Sequence, residues 1–290
     1  MKPFDYFSPK TLNEACSLLR NSGEGARILA GGTDVLVELR KPSAHLPKSI
    51  IDISRIAALK GITESGDSII IGALTTHDEV HRSELIAKYA PLLRSAVSMI
   101  GSPQIRNRGT IGGNIMNAAA CADTVPPLMT LNARLKLNSS LGEREIALTD
   151  FFVKPYVTIA HPDEILSEIH FHKLSLALRS SFVKLGRRNA LSIARLSVAV
   201  VLKVGGKGMI EEARIVPGAA FPIWQRVREA EVVLVGQKLS RDIFVEAGKK
   251  VSEIMISYTG RRWSTEYKEP VIAVLVRRAL EQCIDKEKKA

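Results

Sequence analysis

Two short segments constrain this chain more than any other part of it. Leu29-Ala30-Gly31-Gly32-Thr33-Asp34 leads from an apolar stretch through a glycine pair and a hydroxyl into an amphipathic stretch. Thr110-Ile111-Gly112-Gly113-Asn114-Ile115 repeats that logic about eighty residues later. A glycine pair lets backbone approach another group closely and adopt positive φ, so successive N–H groups can converge on one anion. Thr33 and Thr110 add hydroxyls, and Asn114 adds an amide that both donates and accepts. Two such loops, one from each of two lobes, can clasp a pyrophosphate. Taken singly, each also reads as a tight turn. The chain carries neither a G-x-G-x-x-G after a strand nor a G-x-x-x-x-G-K-S/T, so a dinucleotide bound here is bound outside the Rossmann and P-loop schemes.

The rest of the pattern supplies the lobes. At 290 residues, and ~150 residues per domain, there is room for about two domains. Thr11-Leu12-Asn13-Glu14 is a capping box opening a helix with Leu12, Ala15, Leu18 and Leu19 on its apolar face. Arg27–Ala30 and Ile50–Ile53 read as strands, with a short helix (Val35, Leu36, Leu39) between them. This gives a first αβ lobe over 1–57. A second lobe, 58–174, holds a strand at Ser68–Ile71, a helix opened by Thr76-x-x-Glu79, and a helix from Pro91 to Met99. A turn-rich stretch from Gly101 to Asn117 follows, then a helix start at Pro126-Pro127, a hairpin around Gly142, and a strand from Glu164 to Phe171. From 175 to 290 the order changes to strands (Ser181–Lys184, Ser197–Lys203, Ala213–Val216) and then helices (Val227–Val235, Arg241–Ile256, Val271–Ile284). That order indicates an α+β unit.

Charge and cysteine content exclude several classes. The net charge is +11, with 17 basic and 14 acidic side chains in residues 1–145 against 24 and 16 in 146–290. Basic pairs are scattered, aromatics are only 5%, and no nucleic-acid reading module appears. The excess therefore reads as solvated helix faces and a surface for an acidic partner. A basic nucleic-acid-binding protein remains the alternative of a different class, and salt-dependent retention on nucleic acid would reveal it. Three separated cysteines, Cys16, Cys121 and Cys283, make no C-x-x-C pair, which excludes a zinc finger or an iron–sulfur cluster held by this chain alone. No apolar run reaches the roughly 18 residues of a membrane span, and the start Met1-Lys2-Pro3-Phe4-Asp5-Tyr6 has no signal core. A cytoplasmic protein with reduced thiols is expected. His77/His81 and His170/His172 each lack a third metal ligand; the first pair reads as a solvated helix face and the second as structural. No Ser/His/Asp set can be assembled, so no catalytic residue and no metal site is assigned. Cys121 reads as a small buried residue.

Ala30–Leu36, Gly101-Ser102-Pro103-Gln104-Ile105-Arg106-Asn107 and Thr110–Ile115 together resemble the FAD-binding (medium) subunit of the molybdenum hydroxylases, a family that includes xanthine dehydrogenases and aerobic carbon monoxide dehydrogenases. The resemblance spans essentially the whole chain. It implies a two-lobe FAD-binding domain of the vanillyl-alcohol-oxidase type, followed by a C-terminal α+β domain with a three-stranded antiparallel sheet and a helical bundle. It also implies that FAD is bound non-covalently between the lobes. Ile28, Leu29, Ala30, Gly31, Gly32, Thr33, Asp34 and Val35 would hold it from one side. Gly109, Thr110, Gly113, Asn114, Met116 and Asn117 would hold it from the other, with Ile100 and Gly101 lining the cleft. Asp123, Ile165, Leu166 and Lys184 fall at further cofactor positions; a cation at Lys184 near the flavin N1/C2 edge would stabilise the reduced ring. The implied partners are a large molybdopterin subunit and a small [2Fe–2S] subunit, with NAD, a quinone or oxygen as electron acceptor. A stand-alone flavin reductase of the same fold, like UDP-N-acetylenolpyruvoylglucosamine reductase, is the alternative within enzymes.

Overall fold

The structure, a computed structural model, describes residues 4–41, 46–188 and 191–285. The reading of Met1, Lys2 and Pro3 lies outside the described residues. The first lobe runs β1 (Asp5–Phe7), α1 (Leu12–Ser22), β2 (Ala26–Leu29), α2 (Val35–Leu39) and β3 (Ser49–Asp52). Its sheet is parallel in the order β1-β3-β2, and the central β3 is buried along its whole length. That burial explains why Ser49-Ile50-Ile51-Asp52 reads as a continuous strand without alternation. Thr11 caps α1, accepting from the Glu14 amide at 3.2 Å. The expected capping box is only half made, because the Glu14 carboxylate accepts from the Lys10 amide instead. Ala15, Cys16 and Leu19 face the core.

The second lobe is a five-stranded antiparallel sheet wrapped on one side by helices. Its elements are β4 (Ile62–Ser65), β5 (Ser68–Gly72), α3 (His77–Arg82), α4 (Glu84–Tyr89), α5 (Pro91–Ser98), α6 (Pro103–Arg106), α7 (Ile111–Asn117), α8 (Val125–Thr130), β6 (Arg134–Ser139), β7 (Gly142–Ala147), a small hairpin β8 (Phe152–Lys154) with β9 (Val157–Thr158), and β10 (Ile165–His172). The sheet order is β4-β5-β10-β6-β7. Here the capping box at Thr76/Glu79 is complete. The stretch expected to be turn-rich from Gly101 to Asn117 contains two short helices, α6 and α7, each capped by a side-chain hydroxyl, Ser102 and Thr110.

The C-terminal unit holds β11 (Leu178–Leu185), β12 (Leu196–Val204) and β13 (Ile210–Gly218) in one antiparallel sheet, then α9 (Arg228–Leu234), α10 (Arg241–Thr259) and α11 (Thr265–Asp285). Strand β12 is buried from Leu196 to Leu202 because both faces of the sheet are covered. Leu196, Val198, Val200 and Leu202 pack with the C-terminal helices. Ala199 and Val201, with Phe182 and Val216, join the second lobe's core. Successive residues of a strand point to opposite faces, so one seven-residue buried run, apolar except for Ser197, serves two cores at once. Each such buried aliphatic side chain contributes about 1.5–3 kcal/mol. Lys184 shares the Phe182 face and therefore points at the second lobe. No helix among the described residues is long and apolar enough to cross a membrane.

Candidate functional site

The two glycine segments meet. A Cβ placed on Gly31 would lie 2.8 Å from the Arg108 carbonyl carbon, closer still to its oxygen, and 3.0 Å from Gly109 Cα. Backbone from the first lobe thus touches backbone from the second, and only glycine permits it. A cleft of about 160 Å³ opens between them, lined by Ala30, Gly31, Lys60, Thr76, Arg108 and Thr110 among others.

The segments look alike in sequence but sit differently in the fold. Gly31 and Gly32 precede α2, and Gly32 has φ of +77°, which excludes it from a helix. The amides of Gly31, Gly32, Thr33 and Asp34 donate to no acceptor among the described residues. In the second segment Thr110 is the N-cap, so Gly112 and Gly113 already lie within α7. There the amides are used internally. Ile111 donates to Thr75 O at 2.9 Å, Gly112 to Ala73 O at 2.9 Å, and Gly113 to Thr110 Oγ1 at 3.1 Å. Gly112 packs against Ala73, where a Cβ would come within 2.6 Å. A Cβ on Gly113 would meet only Thr110 Oγ1, at 2.8 Å. The expectation of two equivalent amide cradles is therefore corrected: the first segment offers amides, and the second offers a bare surface at Gly113. The free donors, the bare glycine wall, and the Lys60 and Arg108 cations fit a pyrophosphate between the lobes.

Beyond the residues that line this cleft, Lys184 on β11 reaches across to the second lobe. Its Nζ is 2.6 Å from Asp123 Oδ2 and 3.0 Å from Met99 O, and the two side chains are 7% and 6% exposed. Burial pushes the Asp123 carboxyl up to about 6 against the pull of Lys184. Asp123 Oδ1 is buried with no hydrogen-bond partner. Cys121, half-buried, has its thiol raised by burial and then by Asp123, with Lys184 lowering it and Asp34 raising it further. The first glycine segment, Cys121 and the Asp123–Lys184 pair thus share one electrostatic neighbourhood. Asn114 Oδ1 accepts from Thr124 Oγ1 at 2.7 Å, tying α7 to the segment that carries Asp123.

The remaining sequence-derived positions are distributed unevenly. Ile28 and Ala30 pack on the first lobe's core, Ile100 and Met116 on the second's. Gly101 turns at φ +45°, held where Arg106 donates to Ile100 O at 3.0 Å. Leu29 ends β2, Val35 begins α2, Gly109 accepts from the His77 amide, and Asn117 ends α7. Ile165 and Leu166 are 1% and 3% exposed, their side chains held in the first and second cores respectively, so only their backbone can face a ligand. Lys60, Ser54 and Asn107 line the cleft without having been singled out as contacts; Lys60 carries no local signal at all. His77 is buried beside Gly109, contrary to the solvated face read from the sequence. His170 bonds Glu168 at 2.7 Å. Among the described residues no group of three or more His, Cys, Asp or Glu could hold a metal.

A two-lobed α+β domain with backbone donors at the lobe interface is the architecture of a nucleotide-cofactor carrier. Comparison with known proteins specifies it. Residues 2–172 match the FAD binding domain in molybdopterin dehydrogenase, and residues 181–283 match the CO dehydrogenase flavoprotein C-terminal domain. The carbon monoxide dehydrogenase medium chain of Afipia carboxidovorans is 33% identical over 96% of both chains. The xanthine dehydrogenase FAD-binding subunit of Escherichia coli is 30% identical over 96% of this chain and 95% of its own. The solved structure of carbon monoxide dehydrogenase from Hydrogenophaga pseudoflava superposes with a TM-score of 0.91 at 30% identity, covering 98% of each chain. The chain belongs to the FAD-binding subunit family of the molybdenum hydroxylases. Its cofactor is FAD.

Proposed function

We propose that this chain is the FAD-carrying electron-transfer subunit of a heteromeric molybdenum hydroxylase. In this reading the cofactor is non-covalent, a small [2Fe–2S] subunit supplies electrons, and NAD, a quinone or oxygen receives them. A large molybdopterin subunit oxidises the substrate. The naming of the relatives as medium chain and FAD-binding subunit supports this division of labour. We divide the chain at 1–57, 58–174 and 175–290, the first two lobes forming the cleft. Cys16 and Cys121 are free thiols, which supports placing the protein in the cytoplasm.

The observation that carries the reading is the set of four amides, Gly31 to Asp34, that donate to no acceptor among the described residues, in a segment whose Gly31 meets the Arg108–Gly109 backbone of the second lobe. These donors would bind the pyrophosphate, and Lys60 and Arg108 would balance its charge. Gly113 would let the cofactor lie against α7, while Asn114 would donate through its free amide nitrogen. Asp123 and Lys184 would close the inner end. When bound, the flavin accepts electrons singly and gives them up in pairs, which suits a link between one-electron clusters and a two-electron acceptor. The purified chain should be yellow and release FAD on denaturation. Gly113→Leu should lose the cofactor while keeping its fold by circular dichroism; wild-type flavin content in that variant would refute the assignment of α7.

A further inference from the structure

Lys184 does not present an uncompensated charge to the cleft. It is paired at 2.6 Å with Asp123, and among the described residues the only other partner of its ammonium group is the Met99 carbonyl. Both side chains are almost fully buried, and Asp123 keeps one oxygen, Oδ1, with no donor. A carboxylate that is short of donors in a dry setting is a ready proton acceptor. The charged or titratable groups facing it are Lys184 from β11, Cys121 from its own segment and, near that thiol, Asp34 from the first glycine segment.

We propose that Asp123 takes up a proton each time the cofactor in this cleft is reduced, so that Lys184 is released to balance the charge of the reduced ring. The proposal rests on the FAD reading above. Two electrons, supplied by a chemical reductant or by the partner's clusters, and one proton enter the ring, which gains one negative charge. A second proton enters from solvent and forms an O–H bond on Asp123. The carboxyl becomes neutral, Lys184 keeps its positive charge, and the site ends with the same net charge it began with. With Asp123 ionised instead, the reduced ring would face an ion pair whose charges already cancel. The carboxyl value near 6 places the group where this uptake happens above neutral pH only if the reduced ring raises it.

The test is redox titration of the flavin in the full chain at a series of pH values. For a two-electron couple each proton taken up adds about 30 mV per pH unit to the slope. Wild type should fall about twice as steeply with pH as Asp123→Asn. Lys184→Met should resemble Asp123→Asn, because an unpaired buried Asp123 stays protonated throughout. In wild type, redox-difference infrared spectra should show a deuterium-sensitive carboxylic-acid carbonyl band appearing on reduction, a measurement that needs no variant. Equal slopes in wild type and Asp123→Asn, or no such band, would overturn the proposal. A wild-type chain that takes up no flavin would instead overturn the cofactor reading itself.

Discussion

Gly31→Ala is a small change with a calculable effect. The new methyl would sit 2.8 Å from Arg108 C and 3.0 Å from Gly109 Cα, and nearer still to Arg108 O. Ordinary contact begins near 3.4 Å. Both neighbours are backbone, so neither can rotate aside, and relief requires the two lobes to separate locally. Overpacking of this kind costs about 1–3 kcal/mol. In the cofactor-free protein the cleft can open to relieve it, so the thermal midpoint should change little. The bound state needs the lobes together, so the same free energy appears as lost affinity, about 5- to 150-fold in Kd. Fluorescence titration of the apoprotein with FAD measures the affinity, and calorimetry of the same sample measures stability. Wild-type affinity together with wild-type stability would refute the argument, because nothing else at this contact can absorb the methyl. Gly113→Ala, which meets only a hydroxyl, should leave the lobe contact intact and be milder in both measurements.

Three further outcomes follow from buried groups. Burial, with Arg106 adding to it, lowers His77 to about 4; the unfolded chain therefore binds that proton first, and stability is full above pH 6.5 and lost as pH falls toward 4. The loss amounts to at most about 3 kcal/mol, and urea midpoints across that window should fall less for His77→Gln than for wild type. Glu164 is raised by burial but held low on balance by Arg144, at 2.6 Å, and by the His161 amide. Arg144→Met should cost about 2 kcal/mol at neutral pH, and the deficit should shrink in acid as Glu164 protonates in both proteins. Gly248 lies where α10 crosses α11, with a Cβ position 3.1 Å from Ala273 C; Gly248→Val should lower stability by about 1–3 kcal/mol and leave FAD affinity of the folded fraction unchanged.

Much of this fold is legible because its elements announce themselves locally. Thr76-x-x-Glu79 predicts a cap and forms one, and the alternating stretches around Gly142 form β6 and β7. The α+β order of the C-terminal unit is equally plain. The α+β fold and the FAD-subunit resemblance hold against the solved relatives. The site is harder to read, because its chemistry depends on frame and on distant pairing. Thr33 and Thr110 each belong to a glycine pair, but Thr110 precedes its pair and caps a helix through it. Thr33 follows its pair and leaves the amides unbonded. Sequence order distinguishes these two arrangements only once helix starts are known. The rationale for Lys184 as a free cation missed Asp123, sixty-one residues away in sequence, because nothing local links the two. His77 looked solvated because its helix is short and polar; its burial comes from the Gly109 turn of another segment.

The double-sided burial of β12 also bears on how the protein is made. A ribosome releases the first lobe and then the second before any of β11, β12 or β13 exists. Until those strands arrive, the second lobe displays the apolar surface that Phe182, Ala199, Val201 and Val216 will cover, and such surface is prone to aggregation. Lys184 arrives on the first of the three, so Asp123 waits unpaired until sixty-one further residues have been added. Loading of a cofactor into a finished cleft is consequently a late event in the life of the chain, following synthesis of β11 rather than accompanying the lobes that grip it.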